Sequence, residues 1–510
     1  MDRLIQILRK PGAKGEISGI APTQQVAEKE KTVQNVTGYV TTSKRRMLDR
    51  WLDWVVRASG SKFVFFLILS GLLTWVLLGI PYGKTSSWQV GISDVQAILC
   101  YVFDSFLVRQ QLNEYEDEMM AAAQVQSRLM SHFRMIRSLQ QASKTDGRVR
   151  GFVQSERQPD ESELKIDLPQ NTRFGRCITA CAHVLGHLVT IVLFWAGVII
   201  WIGIGPLSGW SDTWQLYMNS ASSALMVFVF SFLTNIHERH SGYMKRCLDA
   251  IFSVDSRLEL RLRSLTGDRL SNGMVIIPAP KMNSIQRAIF YYADFVGTLV
   301  GIAILMAVIA VWAAVGPLLH FSSGWWLLIG TYAGLVGMND AFVLRNMQAR
   351  LGGYVDAEFD KIEAEDERLF AMTGLQIPAK ETPNNTSITY RISEAIGRIS
   401  AHELSVVAAF ISIVGLITGA SAMRWSLTGQ LLCNVPPSIM ESFLMIVLIT
   451  GHNSAGSRKI ADLQTVHERR QRLLSFVNHL ELLGGKSGQP IQRSQTESTL
   501  VVSMSADKVL

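Results

Sequence analysis

The chain has 510 residues, of which 48% are AVILMFWYC and 18% are charged, with a formal net charge of +7. Its apolar residues gather into eight segments near the ~20 residues a bilayer-spanning helix needs, so an all-α polytopic membrane protein is expected rather than a string of soluble domains. No Walker loop, dinucleotide glycine fingerprint or nucleophile elbow is present, which argues against an enzyme and against a bound cofactor, and the basic excess needs no nucleic-acid partner once its location is considered.

In chain order, residues 1–44 are polar and without periodicity and read as a mobile cytoplasmic tail, not a secretory signal. Lys44-Arg45-Arg46 ahead of Trp51 and Trp54 reads as an interfacial anchor. Four two-span units are then expected at 45–140, 173–268, 284–375 and 387–484, with linkers at 141–172, 269–283 and 376–386 and a cytoplasmic tail at 485–510. The spans fall near 63–80, 90–108, 184–205, 215–236, 289–316, 325–344, 404–423 and 431–450.

The case for units rests on spacing. Gly60, Gly186, Gly297 and Ala401 stand fifteen residues before Trp75, Trp201, Trp312 and Leu416. Trp88, Trp214 and Trp425 precede Phe106, Phe232 and Phe443 by eighteen, and in the third unit Gly324 takes the place with Trp325 beside it. Two spans per unit bring every copy in from the same side, so the repeats are parallel and pack as a pseudo-fourfold ring or as two pairs.

Behind each second span comes an amphipathic extension, 113–139, 239–265, 350–372 and 457–483, suited to a cytoplasmic bundle or to an oligomer interface between copies of the chain. Gly267 and Gly374 are placed to cap two of these helices. The short connections 81–89, 206–214, 317–324 and 424–430 hold only Lys84 and Arg424 of the 49 basic residues, which puts both termini and the long connections in the cytoplasm. Five cysteines in apolar or cytoplasmic settings suggest no disulfide framework.

The candidate metal ligands come from the same repeat frame. Two residues before each unit's second-span phenylalanine stand Asp104, Phe230, Asp340 and Glu441, three acids at one depth. Acids inside a membrane are expensive, and a set of them suits a cation stripped of part of its water. The competing reading pairs Asp104 with Arg109 and Asp340 with Arg345, although a spacing of five is not the favoured helical one. Asp94 lies nearer the outer mouth as an approach site or an interfacial residue. His187 and His402 share a repeat position with Ser61 and Thr298, and imidazoles beside carboxylates suit Fe(II), Mn(II) or Zn(II). His237, Glu238 and His240 follow the fourth span, either as a release site or as ordinary surface, and the methionines read as core filler.

The stretch Ser86–Met119, preceded by Trp54-Val55-Val56-Arg57-Ala58-Ser59-Gly60, resembles the low-affinity iron permease family. The whole chain resembles the long fungal members, while short bacterial relatives resemble one hairpin unit. That resemblance implies plasma-membrane uptake of Fe(II), with copper, zinc and other divalent metals as lesser substrates; it assigns no ligand residues. The metal is cargo, and the expected partners are divalent ions and the bilayer. Two rival readings stay open: a channel for another permeant, and a non-transporting scaffold in which the acids are ion-paired.

Overall fold

The computed structural model describes residues 14–26, 35–39, 47–83, 85–145, 173–378 and 388–485. One order of elements recurs four times: a 13-residue amphipathic helix, an apolar helix, and a helix of more than fifty residues. The first set is α1 (Met47–Ser59), α2 (Lys62–Tyr82) and α3 (Ser86–Thr145), and the second is α4 (Arg173–Leu185), α5 (Leu188–Ile204) and α6 (Asp212–Thr266). The third is α7 (Ser284–Val296), α8 (Leu299–Val315) and α9 (Ser323–Thr373). In the fourth, α10 (Ile388–Ser400) and α11 (Glu403–Ala422) lead through a short α12 (Leu427–Leu432) into α13 (Val435–Gly485).

The break between short and apolar helix is written in the sequence. Ser61, His187, Thr298 and His402 are N-caps, each accepting a hydrogen bond from the backbone N–H of Val64, Val189, Gly301 or Leu404. A capping side chain needs an acceptor close to its own backbone, which Ser, Thr and the Nδ1 of His all supply. The third break is sharp. The apolar run 289–316, expected as one span, bends by 67° between α7 and α8, so among the described residues seven helices are long and apolar enough to cross a membrane, or eight with the bent pair counted as one.

Three of the four hairpin tips are held by stacked tryptophans. Trp75 and Trp88, Trp201 and Trp214, and Trp312 and Trp325 lie with centroids 4.4, 4.0 and 4.4 Å apart and rings nearly parallel. Within each pair both indole N–H groups donate to the partner's carbonyl oxygen, at 2.9–3.3 Å. In the fourth set Leu416 replaces the first tryptophan and its carbonyl accepts from Cys433 Sγ at 3.5 Å.

The four long helices form a closed ring in the order α3, α6, α13, α9, so the sets run first, second, fourth, third around it. The short breaks enforce this order, because each break carbonyl accepts a hydrogen bond from the next long helix. Asn235 Nδ2 donates to Gly60 O (3.0 Å), Thr450 Oγ1 to Gly186 O (2.8 Å), Asn346 Nδ2 to Ala401 O (2.7 Å) and Arg109 Nη1 to Gly297 O (3.1 Å). The approach is close: a Cβ on Gly60 would lie 2.6 Å from Glu238 Cβ and 2.8 Å from Thr234 O. The apolar helices α2, α5, α8 and α11 pack outside the ring against that same next helix. Only 6% of the apolar window of α2 is buried against 78% for α13, so the outer helices leave their apolar faces exposed around the ring.

At ~1.5 Å per residue the long helices are about 75–90 Å long, far more than a ~30 Å hydrocarbon core. Their charged C-terminal halves continue as a four-helix bundle around Leu129, Leu258, Leu262, Leu369, Phe370 and Leu473. Ion pairs fill its interior. Arg128 bonds Glu259 (2.8 Å) and Asp255 (3.4 Å), and Arg470 bonds Asp255 (3.0 Å) and Asp366 (2.8 Å), all with side chains at most 1% exposed. All four long helices contribute, which suits a network that fixes register more than it adds stability. Burial pushes His132, beside Asp255, down to about 3 and Asp366 up to about 6. Gly267 and Gly374 end α6 and α9 in the left-handed conformation, as the sequence suggests.

Part of the expected tail is structured. β1 (Ile17–Gly19) pairs antiparallel with β2 (Val275–Ile277), with Ile17 opposite Ile277 and Gly19 opposite Val275. Gly19 rests on Ala123, where a Cβ would come within 2.7 Å of the alanine methyl, and the buried Ala121-Ala122-Ala123 face supplies the flat surface that allows it. The linker expected at 269–283 thus doubles as a strand partner. Among the described residues all five cysteines are free.

Candidate functional site

Each long helix sends one side chain from the repeat frame into the ring: Asp104 from α3, Phe230 from α6, Asp340 from α9 and Glu441 from α13, all at most 4% exposed. Asp104 lies within electrostatic reach of both Glu441 and Asp340. The Glu441 carboxylate sits on the backbone of Gly337, one turn before Asp340, with the space of a missing Cβ only 2.6 Å from Oε1. Asp340 Oδ1 accepts from the Tyr292 hydroxyl at 2.5 Å. The oxygens of Asp104 and Glu441 are buried without a hydrogen-bond partner. Ionised carboxylates buried in that state cost several kcal/mol each until a cation or a proton joins them.

The arginines do not neutralise them. Arg109 Nε bonds Asp53 at 2.6 Å and Nη2 bonds Asp49 at 3.3 Å, turning away to α1. Arg345 Nη1 bonds Gln348 Oε1 at 2.6 Å. Among the described residues no ion pair reaches Asp104, Asp340 or Glu441.

Toward the hairpin tips, Asp94 is 5% exposed and both its carboxylate oxygens lack partners. It precedes Asp104 by ten residues, about 15 Å along α3. Between them runs a polar ladder. Ser223 Oγ donates to Gln96 Oε1 (3.3 Å), Gln96 Nε2 meets Met226 Sδ (3.8 Å), and Ser442 Oγ meets the same sulfur (3.6 Å). Cys100 lies within electrostatic reach of Glu441 and Asp104. Residue spacing alone missed Met226 and Tyr292: a core methionine carries no signal, and Tyr292 sits on a short helix whose rotation only packing decides. Gln96, polar within an apolar run, carries the one readable signal.

Toward the long-helix bundle an open cavity of about 830 Å³ lies between α3, α4, α6, α9, α10 and α13. Six of the ten histidines line it: His183, His187, His237, His240, His402 and His452. The three ring carboxylates do not. His187 and His402 are exposed caps on its wall, not at the carboxylate level, and the break at Gly186-His187 puts His183 and His187 on different helices. Glu403 is held by Arg350 Nη2 at 2.8 Å and by Asn283. Among the described residues no three His, Cys, Asp or Glu side chains already converge at metal-ligand distance.

The low affinity iron permease family matches over residues 174–271, 286–386 and 389–481, more than half of the chain. The chain belongs to that family. The matched stretches are the second, third and fourth sets of helices, whereas the resemblance read from the sequence was strongest in the first. This permease is 34% identical over 451 residues to the low-affinity iron/zinc ion transport protein fet4 of Schizosaccharomyces pombe, covering 88% of this chain and 76% of that one. It is 34% identical over 475 residues to a low-affinity Fe(2+) transport protein of Saccharomyces cerevisiae, covering 86% of each. No solved structure matches the permease.

Proposed function

We propose that this permease carries Fe(II), and with it other divalent transition metals, at low affinity across the plasma membrane into the cytoplasm. The observation that carries the reading is the set of three buried carboxylates without counter-charges at the centre of the helix ring. The names of the two relatives, both low-affinity iron transport proteins, agree with it. A conducting site binds weakly enough to let its ion go, which is the physical sense of low affinity. An inside-negative potential adds about 2.3 kcal/mol per charge per 100 mV, so about 4.6 for a divalent ion.

In this reading the four sets are copies of one two-span unit, entering from the same side around a pseudo-fourfold axis, with termini and long-helix bundle in the cytoplasm. The recurring element order, the tryptophan pairs and the three family-matched stretches support the copies. The basic residues gathered in the long connections support the orientation. The ion meets Asp94, descends past Gln96, Met226 and Cys100 to Asp104, Asp340 and Glu441, and enters the histidine-lined cavity with His187 and His402 on its wall. Because ion pairs fill the bundle beyond, it leaves sideways between helices.

The test is uptake of radioactive ferrous iron in cells without iron transporters of their own, comparing the parent chain with Asp104→Asn, Asp340→Asn and Glu441→Gln at matched surface levels. Each neutralisation is expected to lower uptake at least about tenfold, the scale set by losing one charge-assisted ligand. Unchanged uptake in all three removes the carboxylates from the path. A parent chain that carries another cation but no iron transfers the path to another permeant.

A further inference from the structure

The cavity holds a cluster that the transport path does not explain. His237 and His240 lie three apart on α6, and their rings meet His452 of α13 at centroid distances of 4.3 and 5.0 Å. His237 has a side chain only 3% exposed, and neither ring nitrogen has a hydrogen-bond partner. Glu114 of α3 closes the group, with Oε2 4.0 Å from His237 Nδ1 and a buried, unpartnered Oε1. Orphaned buried polar atoms cost about 1–3 kcal/mol each, so a purely structural cluster of this kind is a poor exchange for three leucines. Lys459, the cation within electrostatic reach of all three imidazoles, has its Nζ held by Glu118 at 2.7 and 2.8 Å.

We propose that His237, His240, His452 and Glu114 form a second metal site on the inner side of the carboxylates, taking a borderline divalent ion of the Fe(II), Co(II) or Zn(II) class. Neutral imidazoles with one carboxylate favour these ions over Mg(II) and Ca(II), which want oxygen alone. The rings meet tilted at 40° and edge to face at 78°, so rotation about χ1 and χ2 is needed to turn their nitrogens to one point, and the facing Gly456, where a Cβ would lie 3.1 Å from His240 Cε1, keeps a side chain out of that space. Helices α3, α6 and α13 all contribute, so the site draws together three of the four ring members below the acids. Its role as the place that receives an ion from the carboxylates rests on the transport reading, but its binding of metal does not.

The experiment uses the full chain, purified in detergent, with Asp104→Asn, Asp340→Asn and Glu441→Gln combined so that the upper site is silent, and cobalt(II) alone as the probe. Titration is expected to show one bound Co(II) whose ligand-field spectrum reports nitrogen donors. His237→Gln and His452→Gln each weaken binding about tenfold or more, the scale of disturbing a metal's immediate surroundings. His183→Gln, in the same cavity wall, leaves it unchanged. His452→Cys keeps the cobalt and adds a thiolate-to-metal charge-transfer band, which guards against a variant that merely misfolds. Cobalt binding that is absent, or indifferent to His237 and His452, overturns the proposal. A parent chain that carries no iron overturns the transport reading and leaves this measurement standing.

Discussion

Replacing Gly337 by alanine perturbs the carboxylate site without touching a charge. The new Cβ would lie 2.6 Å from Glu441 Oε1 and 2.8 Å from both Cδ and Oε2. Ordinary contact needs roughly 3.5 Å, so the carboxylate must retreat by about 1 Å. Overpacking of that kind costs about 1–3 kcal/mol, a change of roughly 5- to 150-fold in an equilibrium. The backbone returns about 1 kcal/mol, because alanine is the better residue inside a helix, so the loss should fall on the site rather than on folding. Gly334→Ala is the matched control one turn earlier, where a Cβ would meet Cys433 O at 3.6 Å and Pro437 Cβ at 3.8 Å, both ordinary contacts. The assay is ferrous iron uptake over a concentration series, with surface level and thermal stability measured for both variants. Gly337→Ala is expected to raise the half-saturating concentration about tenfold while Gly334→Ala leaves it unchanged. Equal uptake by the two variants refutes the placement of Glu441 in the path.

Asp53→Ala removes the 2.6 Å bond to Arg109 Nε, leaving that 1%-exposed arginine with Asp49 and the Gly297 carbonyl, and should cost about 1.5–3 kcal/mol in a thermal melt, whereas the longer, more exposed bond from Asp49 is worth less. His132, held near 3 by burial, leaves its proton with the unfolded chain, so the stability it protects is complete above pH ~6.5 and falls by about 1.4 kcal/mol per pH unit below that. Melts of the parent chain and His132→Gln through that range should show a shallower acid slope for the variant; parallel slopes would exclude His132 as the source. Trp201→Leu removes a 4.0 Å stack and the indole hydrogen bond from Trp201 to the Trp214 carbonyl, while the carbonyl of residue 201 can still accept from Trp214, and is expected to cost about 1–3 kcal/mol, no more, since the fourth set has Leu416 in that place.

The spans were legible because twenty apolar residues leave few alternatives, and the tryptophan spacing that suggested units proves to be three stacked pairs. The 13-residue amphipathic helices were not legible, since their apolar faces run straight into the spans and blur any long window. His187 and His402 show a subtler loss. Their equivalence to Ser61 and Thr298 already carried the capping signal, because those three residue types share a short side-chain acceptor and little else. The order of sets around the ring was beyond reach, for it depends on which long helix meets Gly60, Gly186, Gly297 and Ala401 from behind. Asp104, Asp340 and Glu441 stood out because an acid in an apolar run is conspicuous. Met226 did not, because a thioether looks the same in a core as beside a path.

The ring order also dictates how the molecule is finished during synthesis. The second and third sets both pack on the first, and neither long helix closes on the other; α13, made last, fills the gap between α6 and α9. Until it arrives the nascent protein is an open trough holding Asp104 and Asp340 without their third acid, its Gly186 carbonyl unmet and α10 without its main partner helix. On the proposed transport path, conduction therefore waits for the final insertion, and a ribosome that stops short leaves a three-quarter ring without the completed set of acids.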